Sequence, residues 1–208
     1  MKRVPKGVLW GAAVVAVAVI VYLAQGWFGG PPYQYASEPL THLKTEADFT
    51  LQSASGPVSL SDFDGDVVVL YFGYTHCPNI CPTEMMHLAE VHKLLPEKDR
   101  SRVKMVMISV DPERDSPATM AKYAHAFDPA FIGLSGAPAS IAAVAKQFFV
   151  TYQKTDQTGP DQYFVNHTSA AYVLNTRRQL ALIYNYDQLG SDQAHIAQDL
   201  HHLLLRGS

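Results

Sequence analysis

Cysteine is scarce in this chain: two in 208 residues, both inside the five-residue stretch 77–81. That scarcity excludes a small scaffold stapled by several disulfides and leaves the fold to rest on a hydrophobic core. Charge is scarce as well, at 17% of residues with 48% apolar, where a typical domain carries about a quarter charged. Intrinsic disorder needs the opposite balance and is excluded. Positive charge is not in excess, the formal net charge being −3, so nucleic acid is not an expected partner. Internal repeats and low-complexity tracts are also missing.

What is present is unevenly placed. Lys2, Arg3 and Lys6 are the only charges in the first 28 residues, and all 19 acidic residues fall later. Residues 8–28 run without a charge, rich in Val, Ala, Leu and Ile, with Trp10, Tyr22, Trp27 and Phe28 near the ends. About 20 such residues span a bilayer core, and interfacial aromatics suit its edges. Residues 1–28 therefore read as a cytosolic N-terminus and transmembrane anchor. The competing reading is a cleaved signal peptide, whose apolar region is shorter, about 7–15 residues. Gly29-Gly30-Pro31-Pro32 opens an irregular tether over 29–40, and 41–208 form the soluble domain. With cations preceding the apolar run, the positive-inside rule puts that domain outside. No Arg- and Ser-rich import presequence is visible, so the expected location is a bacterial inner membrane with the domain in the periplasm. The alternative is a mitochondrial inner membrane facing the intermembrane space.

In the domain, 48–51 and 56–60 read as a small hairpin around Gly56-Pro57. Residues 67–72 (VVVLYF) and 103–110 (VKMVMISV) are continuous apolar runs, the pattern of strands buried on both faces. Helices are expected over 82–95, from Ser116-Pro117 to about 127, over 139–149, and from Ser191-Asp192 to about 205. A short strand is expected at 163–165 and a hairpin from 170–174 and 180–184. This order gives an α/β layered domain. In such sheets the chemistry gathers at the carboxyl ends of the strands: Gly73–Cys81, Asp111 and the loop before Ala170.

Cys77 and Cys81 leave a buried strand and enter a helix. If the helix starts at Cys77, both sulfurs share a face; if it starts at Pro82, both sit in the turn that caps it. Either way free backbone N–H groups favour thiolate. Two such sulfurs can form a disulfide, exchange disulfides or chelate a soft metal. A disulfide closing so short a loop adds little stability.

The run Gly73-Tyr74-Thr75-His76-Cys77-Pro78 with Cys81-Pro82 resembles the metal-binding motif of the Sco/SenC family. Ser109-Val110-Asp111-Pro112-Glu113-Arg114-Asp115-Ser116-Pro117 resembles a second family segment, and Val165-Asn166-His167-Thr168-Ser169 a third. The resemblance runs from about Asp48 to the C-terminal helix. It implies a thioredoxin-like fold behind an N-terminal transmembrane helix and a copper chaperone for cytochrome c oxidase assembly. Asn79 departs from the Asp common in the family and removes a charge, not a ligand.

The same resemblance implies that the loop carrying His167 faces the cysteines, making it the third copper ligand beside Cys77 and Cys81. Two thiolates and an imidazole suit Cu(I), and Cu(II) with an added donor. Structural zinc normally takes four protein ligands, and three are evident. The other histidines, His87, His92, His195, His201 and His202 among them, read as helix surface or packing, and His76 as a weaker ligand than its position suggests. Met85, Met86, Met105, Met107 and Met120 read as core. Asp111 reads either as a residue orienting a ligand or loop, or as a turn-forming Asp before Pro112.

Three functions compete. A metallochaperone passes copper to the dinuclear CuA centre of cytochrome c oxidase subunit II, with other periplasmic copper chaperones or thiol reductants as further partners, and is not an enzyme in the usual sense. A thiol–disulfide oxidoreductase reduces the acceptor's cysteines with Cys77 and Cys81 as the redox pair, although its three-residue spacer exceeds the usual two. A cysteine peroxidase resemblance requires Thr three residues before the reactive Cys, where this chain has Tyr74.

Overall fold

The computed structural model describes residues 15–17, 19, 33–40, 47–159 and 162–206. The expected membrane anchor falls almost wholly outside them; residues 15–17 and 19 are helical. Among the described residues no helix is long and apolar enough to cross a membrane. The chain divides into two compact units, Met1–Gln34 and Tyr35–Ser208, and the second carries the fold.

A hairpin of β1 (Thr50–Ser53) and β2 (Gly56–Ser59) comes first, turning at Gly56 with φ of 124°. β3 (Val67–Gly73) then leads through α1 (Ile80–Leu94) and α2 (Glu97–Arg100) to β4 (Val103–Ser109). α3 (Pro117–His125), β5 (Ile132–Leu134) and α4 (Pro138–Gln147) follow. A second hairpin, β6 (Tyr152–Gly159) and β7 (Gln162–His167), precedes β8 (Ala170–Leu174) and β9 (Leu180–Asn185). The chain closes with α5 (Tyr186–Ser191) and α6 (Gln193–Arg206).

The main sheet has the order β5-β4-β3-β8-β9. β3, β4 and β5 run parallel, and β8 is antiparallel to both of its neighbours, β3 and β9. β3 is central and every residue in it is buried, which is why its sequence lacks alternation. Successive side chains point to opposite faces. Phe72 meets Phe148 and Tyr172 on one face, with ring centroids 5.9 and 5.8 Å away. Tyr71 turns to the other face, where Cys81 and Glu84 of α1 lie beside it. α1 in turn packs on α5 and α6. The hairpin β6–β7 is a separate two-stranded sheet.

Several expectations change. The last helix stands where expected, as α6, and an additional short helix precedes it: the Asn185 side chain accepts from the Gln188 N–H and caps α5, and the chain breaks at Asp192 before α6. The helix expected over 139–149 stops at Gln147. Phe149 N–H donates to Lys146 O and Val150 N–H to Ala145 O, a Schellman termination with Phe149 left-handed at φ of 57°. β5 and β6 were not expected, and the strand at 163–165 is the middle of the longer β7. Met86 is exposed at 55%, not core, while Met85, Met105, Met107 and Met120 are buried.

Residues 35–40 are bound to the domain. Ala36 N–H donates to Asp199 Oδ2 (2.9 Å), Ser37 Oγ to Ile183 O (2.6 Å) and Leu40 N–H to Ala181 O (2.8 Å). The segment covers the open edge of β9, which would otherwise present unpaired backbone groups.

Candidate metal centre

Cys77 lies in the loop that leaves the central strand. Its N–H donates to Tyr74 O. Two residues earlier, Thr75 donates from N (3.1 Å) and Oγ1 (2.5 Å) to the carboxylate of Asp115, which also accepts from Ser109 Oγ (2.8 Å). Asp115 is fully buried, so it pins the cysteine loop from beneath. α1 starts between the two positions weighed from sequence: Cys81 occupies its first turn and Cys77 precedes it. A spacing of four folds the Cys77 sulfur back over the helix start, where it accepts the Cys81 N–H at 3.4 Å.

Cys81 is buried, at 0% exposure. Its sulfur lies against the end of β3, and a Cβ at Gly73 would stand 3.1 Å from it and 2.7 Å from Tyr71 Cε1. Glycine is what lets the strand approach this closely.

His167 is the last residue of β7, paired with Tyr152, rather than part of a loop. Its Nδ1 is 3.0 Å from Thr168 O, and its Nε2 is 3.4 Å from Cys81 Sγ. A carbonyl only accepts, so Nδ1 carries a hydrogen and donates it, which fixes the ring with Nε2 facing the sulfur. Tyr71 and Tyr74 meet the ring edge-on, with centroids 6.3 and 6.0 Å away.

The two sulfurs are electrostatically unequal. Cys77 is held far below the ordinary thiol range, first by hydrogen bonding with Cys81, against burial, then by His167 and the backbone N–H groups of Cys81 and Asn79. Cys81 is pushed up by donating to Cys77 and by burial. The pair is one thiolate and one thiol. Beneath them Glu84, fully buried, accepts from Ser169 Oγ at 2.7 Å, and burial raises its pKa.

Asp111 lies in the loop just after β4, and its contacts run away from the sulfurs. Its carboxylate accepts from Arg114 Nε (2.5 Å) and Tyr163 hydroxyl (2.6 Å), reaching the hairpin that carries His167. His76 engages Thr75 Oγ1 (3.1 Å) and Asp115 (3.7 Å) instead of the sulfurs. His92 is clasped between Asp128 (2.8 Å) and Arg100 O (3.1 Å), and His201 pairs with Asp99.

Cys77, Cys81 and His167 offer two sulfurs and one imidazole nitrogen, a set whose softness fits a thiophilic monovalent ion. Among the described residues no group of three or more His, Cys, Asp or Glu side chains stands as a preformed metal cage. Cys81 stands beside each of the other two, its N–H against the Cys77 sulfur and its sulfur against His167 Nε2.

The SCO1/SenC family profile matches residues 37–205. The chain belongs to the SCO1/SenC family. It is 41% identical over 132 residues to the mouse mitochondrial SCO2 homologue, covering 62% of this chain and 52% of that protein. With the yeast mitochondrial SCO2 the figures are 33% over 178 residues, 76% and 59%. This SCO1/SenC chain thus spans about half the length of the curated relatives it matches. Among solved structures, apo Sco1 of Thermus thermophilus is 38% identical with a TM-score of 0.76, covering 84% of this chain and 99% of that one. Copper-bound ScoI of Bradyrhizobium japonicum is 36% identical with a TM-score of 0.69, covering 76% and 98%. The mixed α/β body is accordingly the thioredoxin-like fold of the SCO1/SenC proteins.

Asp115 and Glu84 were not singled out from sequence. Glu84 interrupts the apolar stripe Cys81, Met85, Leu88, Val91 of α1, and an acid on a buried helix face was the available signal. Asp115 had none, since an acid in a polar loop looks solvated.

Proposed function

We propose that this SCO1/SenC protein is a copper metallochaperone that binds Cu(I) through Cys77, Cys81 and His167 and hands it to cytochrome c oxidase, at the CuA centre of subunit II. The observation that carries the reading is the 3.4 Å approach of His167 Nε2 to Cys81 Sγ with Nδ1 tied to Thr168 O. A ring so fixed aims its coordinating nitrogen at the sulfurs. The copper-bound state of the Bradyrhizobium relative supports the choice of metal. A relative of the fold, BsSco, belongs to the Sco family of cytochrome c oxidase assembly proteins, which supports the acceptor. The apolar run over 8–28 anchors the domain to the outer face of a bacterial inner membrane in this reading; the mitochondrial relatives support the equivalent face of the mitochondrial inner membrane.

Cu(I) affinity measured by chelator competition tests it. Replacing His167 by Ala weakens binding about tenfold or more, and X-ray absorption of the wild type shows two sulfurs and one nitrogen. Equal affinity of the two proteins refutes the ligand set.

The unequal thiols favour a second reading, reduction of the acceptor's disulfide. The Cys77 thiolate attacks one acceptor sulfur and releases the other as thiolate. Cys81 then loses its proton and attacks Cys77, leaving a Cys77–Cys81 disulfide and a dithiol acceptor. The same His167→Ala variant separates the readings, because exchange survives loss of the ring while copper affinity falls.

A further inference from the structure

The two halves of the copper site stand on parts that no strand pairing joins, since β6 and β7 form their own sheet. One short loop after β4 touches both. At one end, the Asp111 carboxylate accepts from Tyr163 hydroxyl (2.6 Å) and from Arg114 Nε. Arg114 Nη1 donates to Tyr163 O (3.1 Å), and its guanidinium lies 3.6 Å from the centre of the Tyr163 ring. Tyr163 precedes His167 by four residues in β7, so both side chains leave the same face of the strand. At the other end, Asp115 holds the Thr75 N–H and hydroxyl, two residues before Cys77.

We propose that the loop Asp111–Asp115 is a bracket setting the reach between His167 and the sulfurs, with Arg114 the positioning residue for the imidazole half. The proposal rests on the copper-site reading above. Arginine suits the role because its rigid planar fork donates in two directions while stacking on an aromatic face, which lysine does not reproduce. The Asp111 and Arg114 side chains are 0% and 8% exposed, so the pair is shielded from water and fixed. Lys154 of β6 adds an outer contact, bonding Glu113 (2.6 Å) and lying 4.5 Å from the Tyr163 ring centre.

The test uses the full chain and the variants Arg114→Ala, Arg114→Lys and Tyr163→Phe. Arg114→Ala weakens Cu(I) binding about 10–100-fold, and its copper X-ray absorption keeps both sulfurs and loses the nitrogen. Adding His167→Ala to it causes no further loss. Arg114→Lys behaves like the Ala variant. In the metal-free protein, the His167 Nδ1–H signal by ¹⁵N NMR is present in the wild type and exchanges away in the variant. A retained nitrogen donor, with losses that multiply when His167→Ala is added, overturns the bracket even if the melting temperature falls. Should Arg114→Ala fail to fold, Tyr163→Phe deletes one oxygen and reports the same two signals, with unchanged signals overturning the proposal. A wild type lacking the nitrogen donor refutes the ligand set itself, and the metal-free His167 signal then decides the bracket alone.

Discussion

Cys77 and Cys81 are four residues apart in sequence and chemically opposite in the fold. The Cys77 sulfur accepts from the Cys81 thiol and from N–H groups at the start of α1, which hold it as thiolate. Its lowered pKa fixes the sign of a pH effect. The thiolate's contribution to stability is complete above the unfolded thiol's pKa of about 8.5. It shrinks as pH falls and is gone below the lowered folded value. The stability gap between the wild type and Cys77→Ser, followed by denaturant melts, is therefore widest near the unfolded thiol's pKa of about 8.5 and narrows on acidification; above it the raised Cys81 thiol lowers the wild type's stability. A gap independent of pH contradicts the assignment. Iodoacetamide is expected to label Cys77 in the native protein at neutral pH and leave Cys81 unmodified, and equal labelling of the two contradicts the assignment.

Elements were legible where one physical pattern dominated. β3 and β4 read correctly because burial on both faces removes polar residues from them. Helix α3 read correctly because Ser116 caps it, accepting the Thr119 N–H at 3.1 Å. β6, Tyr-Gln-Lys-Thr-Asp-Gln-Thr-Gly, was illegible because it lies in a small two-stranded sheet and carries no apolar alternation. The end of α4 was missed because its left-handed position holds Phe149 where glycine is usual. That side chain is 70% exposed, so it gains little burial against the steric cost of its backbone. Phe149→Gly is expected to stabilise the protein by about 1 kcal/mol, read as a raised melting temperature. A fall in melting temperature means that the phenyl ring makes a contact worth more than the strain.

At the scale of the molecule, the candidate centre gathers segments far apart in the chain: the loop after β3, the start of α1, the loop after β4 and the end of β7. The cysteine motif was visible in sequence because it is local. The placement of His167 was implied only by family resemblance, since its partner Cys81 is 86 residues away. Binding of residues 35–40 had no sequence signal, because a Tyr-, Ser- and Pro-containing stretch reads as tether. Asp199 closes that arrangement: it is fully buried and accepts from both Ala36 N–H (2.9 Å) and Tyr184 hydroxyl (2.6 Å). Asp199→Ala strands two donors and is expected to cost about 1–3 kcal/mol, with faster amide exchange at Ala36 and Leu40. Unchanged exchange there shows the segment to be held by other contacts.

One sulfur is sealed under the end of the central strand while the other stands in a half-buried loop. Under the proposed copper-binding role, a visiting donor reaches an ion there from the half-buried side of Cys77 and His167, and Cys81 yields last. Arrival and departure would then pass through the same half-exchanged state in reverse order.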